Sequence, residues 1–221
     1  VYKRQDKELT MDISLDDAYS LETPEDNKQL YAKWAATYES DFVATQGYQH
    51  PKIIAELFHN QVPEVKKVID IGTGTGLVGK HLHELRSDIT IDGIDISPEM
   101  LAEAAKKNVY RNLYERDLTK QVVNTDAPYD ALITIGTFTH GHLGIEVMDN
   151  LFPLVSKNGY FVIAFNEKYF MEHNCLEFLL ARKINLIHMD KVHVYSESSK
   201  HHDSMNVVMV FNQKIGSAIP L

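Results

Sequence analysis

The sequence contains one cysteine, Cys175, so it can form neither an intrachain disulfide nor a cysteine metal cluster. No apolar run approaches the roughly 18 residues that a membrane span requires. No apolar signal-peptide core stands at the N-terminus, where the chain opens at Val1. Basic residues are outnumbered: 22 Lys and Arg stand against 31 Asp and Glu, for a net charge of −9. That balance disfavours a sequence-independent grip on a phosphate backbone, so no nucleic-acid partner is expected. Low-complexity tracts are missing, as are internal repeats beyond a βα rhythm. What is present is 221 residues, 44% hydrophobic and 24% charged, enough to bury one substantial core. The expectation is a soluble cytoplasmic protein with no membrane attachment, its residues 1–22 a flexible segment ahead of a single domain over 23–221.

Within that domain, residues 23–60 read as a helical lid. Thr23-Pro24-Glu25-Asp26 is a helix start, with an N-cap hydroxyl, proline in the first turn and acids behind it. Leu30, Trp34, Tyr38 and Phe42 then step by four and predict one helix through Phe42. Gly47 to Pro51 breaks the pattern, and Pro51 starts another helix through Phe58. Residues 66–221 read as an α/β core. Strands are expected at Val68–Ile71, Thr90–Asp95, Val109–Tyr114, Tyr129–Ile135 and Tyr160–Phe165, with helical segments between them. Ser97-Pro98-Glu99 caps a helix running to about Lys107, and Ile145–Val155 fits a helix stopped by Lys157-Asn158-Gly159. After a helix over Phe170–Lys183, two strand-like runs, Asn185–Tyr195 and Met205–Gln213, are joined by a link too short for a crossover and should pair antiparallel. The fold class is therefore α/β, Rossmann-like: a seven-stranded sheet, mostly parallel with an antiparallel last strand, and helices on both faces.

The chemistry centres on Lys67 to Gly79, K-V-I-D-I-G-T-G-T-G-L-V-G. A β-branched strand, glycines at alternate positions and a helix start make a turn that aims N–H groups at an anionic ligand. Gly74, Gly76 and Gly79 satisfy G-x-G-x-x-G, which leaves a nicotinamide-dependent oxidoreductase open. Against it stands Asp70, since a carboxylate two residues before the turn repels a diphosphate. A second acid, Asp95, ends the next strand, where it could accept from ribose hydroxyls of any adenosine ligand.

Taken together, V-I-D-I-G-T-G-T-G, I-D-G-I-D-I-S-P-E-M-L, E-R-D-L, Y-D-A-L-I-T-I-G and L-F-P-L-V-S-K-N-G-Y-F-V-I resemble the motifs of class I S-adenosylmethionine-dependent methyltransferases. More narrowly, L-Y-A-K-W-A-A-T-Y-E-S-D-F…G-Y-x-x-P is similar to the opening of the Williams–Beuren-syndrome-region methyltransferase-like group, with Glu39 in place of that group's usual Asp. The resemblance implies S-adenosylmethionine as the cofactor. It places the methionine moiety against Gly72, Gly74 and Gly76, with its ammonium near Asp70. Asp95 would take the ribose, Ile96 and Met100 the faces of adenine, and Asp117 with the Leu118 N–H its edge. Gly136 would line the cofactor, and Tyr31 and Trp34 would close over it, their ring faces tolerating a sulfonium. Asp117 could instead N-cap a helix over Leu118–Val122, and Met100 could be core.

His140, in the segment Gly136 to His142, is the candidate general base, because an imidazole titrates near neutral pH; a merely packed loop histidine is the alternative. The absence of an N-P-P-Y-type motif there lowers the case for base or amide nitrogens as acceptors. His140-x-His142 and His201-His202-Asp203 lack a third ligand at a readable spacing, so no metal is expected. The acceptor expected is a small molecule, with a non-catalytic cofactor-binding protein as the further alternative.

Overall fold

The computed structural model describes residues 23–120 and 125–213. The segment 1–22, the end of the alternative helix over Leu118–Val122 and residues 214–221 lie outside that set. The first helix, α1 (Pro24–Trp34), starts where its capping residues predict. The Thr23 hydroxyl accepts from the Asp26 N–H at 3.1 Å, and the Asp26 carboxylate accepts from the Thr23 N–H at 3.0 Å. The continuous helix expected through Phe42 is not formed. α1 stops at Trp34, and a π-helical turn takes over at Tyr38–Val43, followed by one helical turn at Ala44–Gln46. Long-range aromatic packing overrides the four-residue period here. Phe42 sits 5.3 Å from Trp34 and 6.1 Å from Tyr195, ring centre to ring centre, and Tyr195 belongs to the far end of the chain.

α2 (His50–Gln61) buries Ile54, Ala55 and Phe58 against the sheet. The alternation that follows is regular: β1 (Lys67–Ile71), α3 (Leu77–Leu85), β2 (Thr90–Asp95), α4 (Pro98–Ala105), β3 (Tyr110–Glu115) and β4 (Tyr129–Phe138). Ser97 caps α4 as expected, its hydroxyl accepting from the Met100 N–H at 3.2 Å. The helix predicted over Ile145–Val155 is instead three short turns, Ile145–Val147, Met148–Leu151 and Phe152–Leu154. Pro153, which has no N–H to donate, lies in the last of them. Lys157-Asn158-Gly159 is no helix stop, because β5 (Val155–Asn166) already runs through it. Tyr129 pairs with Val155 and Ala131 with Tyr160, so the extra residues bulge out of β5. Gly159 is required there because a Cβ would come within 2.6 Å of the Asp130 carbonyl. The predicted helix over Phe170–Lys183 is broken at Asn174, which is left-handed at φ 48°, into α5 (Glu167–Glu172) and α6 (Cys175–Ala181). β6 (Ile184–His193) and β7 (Met205–Gln213) complete the chain.

The sheet order is β3-β2-β1-β4-β5-β7-β6, parallel except that β7 runs antiparallel to β5 and β6. Successive residues of the central strands feed opposite cores: Val68, Ile133 and Val162 pack with α2 and α3, whereas Ile69, Leu132 and Phe161 pack with the helical turns after β4 and with α5 and α6. The chain leaves β1 towards β2 and β3 on one side and returns to β4 and β5 on the other. A crevice opens above the carboxyl ends of strands at such a reversal, and it positions the site.

Candidate active site

The glycine turn between β1 and α3 is held from two directions. The Gly72 and Thr73 N–H groups donate to the Ile94 carbonyl at 2.9 and 3.0 Å, stitching the turn to β2. The Asp95 carboxylate accepts from the Gly74 N–H at 2.8 Å and from the Ser97 N–H at 2.9 Å. Asp95 thus locks the turn to the start of α4. Burial pushes its pKa up, and the backbone donors of Ser97, Gly74 and Ile96 pull it back. Gly74 is left-handed at φ 53°, and a Cβ there would meet the Gly72 carbonyl oxygen at 4.0 Å, an ordinary contact, so its backbone conformation is what calls for glycine. Gly76, at φ 86°, caps α3, and a Cβ on it would meet Tyr110 and Ala104 at 2.9 and 3.0 Å. Its role is close packing under the turn.

Above the turn lies a cavity of ≈ 190 Å³. Of the predicted cofactor residues, Tyr31, Gly72, Gly74, Asp95, Ile96, Met100, Asp117, Leu118 and Gly136 line it; Asp70, Gly76 and Trp34 do not. Asp70 is 1% exposed and lies beneath the turn, where its carboxylate accepts from the Tyr110 hydroxyl at 2.6 Å. The Tyr110 oxygen in turn accepts from the Gly79 N–H at 3.2 Å. Burial raises the Asp70 pKa to about 7, the Tyr110 hydrogen bond opposing and the Asp95 charge adding to it. Asp117 accepts from the Thr119 N–H at 3.0 Å and pairs with Lys120 at 3.0 Å, a turn that leaves it on the cavity wall.

Trp34 opens instead on an adjoining chamber of ≈ 80 Å³. Tyr31, Tyr38, Tyr48, Gly136 and His142 line both spaces, so they form the boundary between the two. His140 lines neither. Its Nε2 pairs with Glu172 at 2.7 Å, and its ring packs edge-on to Tyr169 at 5.7 Å, on the outside of the loop after β4. The histidine at the boundary is His142, which sequence reasoning considered only as a metal ligand. Its Nδ1 lies 3.1 Å from the His140 carbonyl oxygen, which can only accept, so Nδ1 carries the proton. Nε2 is then an acceptor, and the Tyr31 hydroxyl donates to it at 2.9 Å. Burial lowers the His142 pKa below its usual 6.5, so the ring is neutral at neutral pH. A neutral imidazole polarising a phenol at the boundary of two cavities is a proton acceptor in waiting.

Asn27 was also missed. It fastens α1 to this loop, donating through Nδ2 to the Gly141 carbonyl at 2.7 Å, and its buried Oδ1 has no protein partner. No residue spacing announced this link, because Asn27 and Gly141 lie 114 positions apart. Among the described residues, no group of three or more His, Cys, Asp or Glu is placed to hold a metal ion, and no helix is long and apolar enough to cross a membrane.

The comparison that decides between the two readings of the glycine turn is one of sequence. Residues 69–161 match the family described as a methyltransferase domain. Over that stretch the chain is similar to a methyltransferase domain. The matched span runs from β1 to β5 and holds the glycine turn, Asp95, Asp117 and the loop of His142, and the domain implies S-adenosylmethionine as cofactor. Solved structures share the fold. A TehB-like S-adenosylmethionine-dependent methyltransferase from Corynebacterium glutamicum aligns with a TM-score of 0.61 at 20% identity, covering 84% of this chain and 100% of that one. An S-adenosylmethionine-dependent methyltransferase from Clostridium acetobutylicum aligns at 0.60 and 15%, covering 83% and 98%. Magnesium protoporphyrin IX methyltransferase from Synechocystis, with S-adenosylmethionine bound, aligns at 0.53 and 15%, covering 86% and 83%. No curated protein matches the sequence.

The residues present fit that cofactor. The open space at Gly136 is what a closely approaching ligand needs, and Asn27, which lines the same cavity, carries the orphaned Oδ1.

Proposed function

We propose that the protein is an S-adenosylmethionine-dependent methyltransferase acting on a small molecule in the cytoplasm, with residues 23–60 as its lid. The observation that carries the reading is the pair of adjoining cavities with the Tyr31–His142 hydrogen bond at their boundary. A net charge of −9 and a second chamber of only ≈ 80 Å³ favour a small acceptor over a polymer. The aromatic opening of the lid, with Tyr31, Trp34 and Tyr38 at the expected spacing, supports kinship with the Williams–Beuren-type group.

Gly72, Gly74 and the N-terminal turn of α3 would hold the methionine end. Asp95 has lone pairs left for ribose hydroxyls, Ile96, Met100 and Leu118 supply apolar surface for adenine, and Asp117 an acceptor for its amino group. When bound, the cofactor supplies a methyl group on a sulfonium, whose carbon–sulfur bond breaks with the electron pair left on sulfur. The chain aligns the acceptor and excludes water. As the acceptor oxygen or nitrogen forms its bond to the methyl carbon, its proton passes to the Tyr31 oxygen while the Tyr31 proton passes to His142 Nε2. One positive charge leaves sulfur and one arrives on the imidazole, so the step balances. His142 replaces His140 as the base in this reading.

Titration calorimetry with S-adenosylmethionine should show saturable binding. A labelled methyl donor incubated with protein and cell extract should mark the small-molecule fraction. Label confined to macromolecules would overturn the acceptor class, and absence of cofactor binding would overturn the activity.

A further inference from the structure

The adjoining chamber has a composition of its own. Among its described lining residues are seven aromatics and no Asp, Glu, Lys or Arg. Trp34 meets Tyr38 edge-on at 5.0 Å and Phe42 at 5.3 Å, so the wall offers ring faces and edges at the spacing another aromatic ring prefers. Two residues that line the chamber carry a polar atom buried without a protein partner: Nε2 of His50, a residue 1% exposed, and Oγ1 of Thr139, a residue 7% exposed. Buried polar atoms in native proteins are nearly always hydrogen-bonded, so two orphans in one chamber mark a place where a ligand supplies the partner. Both histidines at the chamber, His50 and His142, are driven towards the neutral form by burial.

Charge selects further. Among the described lining residues a cationic acceptor would find no carboxylate, and an anionic one no Lys or Arg, to offset its desolvation. Size selects as well. One water needs about 10–15 Å³, so ≈ 80 Å³ is room for a single substituted ring and not for a fused ring system.

We infer that the chamber binds an uncharged single-ring aromatic acceptor, with a nucleophilic O–H or N–H at the Tyr31–His142 end and a hydrogen-bonding substituent at the His50–Thr139 end. The inference rests on the methyltransferase reading above, and its test separates the two. Trp34 is the sole tryptophan of the chain and lines the chamber, so its fluorescence reports occupancy without turnover. Protein saturated with S-adenosylhomocysteine is titrated with 4-hydroxybenzamide, with the same-shaped anion 4-hydroxybenzoate, and with the cation phenyltrimethylammonium. The neutral amide should quench Trp34 saturably and bind at least about tenfold more tightly than either ion. Thr139→Val should weaken the amide by about tenfold, the worth of one hydrogen bond of ordinary strength, while leaving phenol unchanged. Because the Thr139 hydroxyl has no partner in the protein, that variant should melt no lower than the parent, which separates lost binding from lost folding. Equal or tighter binding of either ion, or an amide affinity indifferent to Thr139→Val, would overturn the inference while the cofactor reading stands. Failure of S-adenosylhomocysteine itself to bind in calorimetry, with the amide still quenching Trp34, would overturn the methyltransferase reading and leave the chamber's preference intact.

Discussion

Asp70 offers the sharpest quantitative test, because burial and the Tyr110 hydrogen bond dominate its behaviour. Its carboxyl group lies beneath the glycine turn and accepts from the Tyr110 hydroxyl, and burial lifts its pKa from 3.8 to about 7. Between those values the folded chain binds a proton that the unfolded chain releases. Stability at this site is therefore fully present below about pH 4 and is lost as pH rises to about 7. The shift of about three units, at 1.36 kcal/mol each, corresponds to about 4 kcal/mol. Asp70→Asn cannot ionise, so the difference in unfolding free energy between parent and variant should fall by about that amount across this window and stay flat above it. Contributions from Asp95, whose pKa is also raised, occur in both proteins and largely cancel. Urea unfolding at a series of pH values measures the difference directly. Parallel curves for the two proteins would refute the buried, proton-binding role. The variant also tests the expectation that Asp70 meets the cofactor ammonium. Because the side chain lies under the turn and off the cavity wall, Asp70→Asn should change S-adenosylhomocysteine affinity at neutral pH by less than about threefold, whereas loss of a direct charge-assisted bond would cost at least about tenfold.

Three further outcomes follow from the site. Tyr31→Phe and His142→Gln should each lower kcat by about 10²–10⁴ with cofactor binding retained, while His140→Ala changes it less than about twofold; single-turnover assays with an identified acceptor distinguish these. Since His142 acts as the neutral ring and burial lowers its pKa, kcat should stay level as pH falls from 8 to 6.5 and decline only below that, and a midpoint at or above 6.5 would count against His142 as the base. Asp92, fully buried, accepts from Arg111 at 2.5 and 3.0 Å and from the Tyr129 hydroxyl at 2.8 Å, so Asp92→Ala should destabilise the fold by about 1–3 kcal/mol, mainly by leaving the Tyr129 hydroxyl without its acceptor while Arg111 keeps Asp126 at 2.9 Å, read as a drop in Tm.

Much of the cofactor side could be read directly from the residues because its information is local. A β-branched run, glycines at alternate positions and Ser97 with Pro98 each specify a strand, a turn or a cap within a few residues, and the βα rhythm then orders the sheet. Asp95, Asp117, Ile96 and Met100 follow at the ends of strands or in the first turn of a helix, where neighbours in sequence are neighbours in space. By contrast, the direction of Asp70 depends on which face of β1 meets Tyr110, and the choice between His140 and His142 on how the loop after β4 bends past Gly141. The aromatic stripe of the lid repeats every four residues, yet the π-helical turn at Tyr38–Val43 redistributes it: Tyr31 faces both cavities, and Trp34 only the chamber. That chamber joins His50 to Thr139, Tyr195 and Asn206, residues from four separate stretches of chain. The sheet, the turn and the two acids on the cavity wall, Asp95 and Asp117, are legible in the residues alone, since each rests on periodicity or on turn chemistry. The packing of distant segments alone put His142, and not His140, at the boundary of the two cavities and shaped the adjoining chamber, since Tyr31 and His142 lie 111 positions apart.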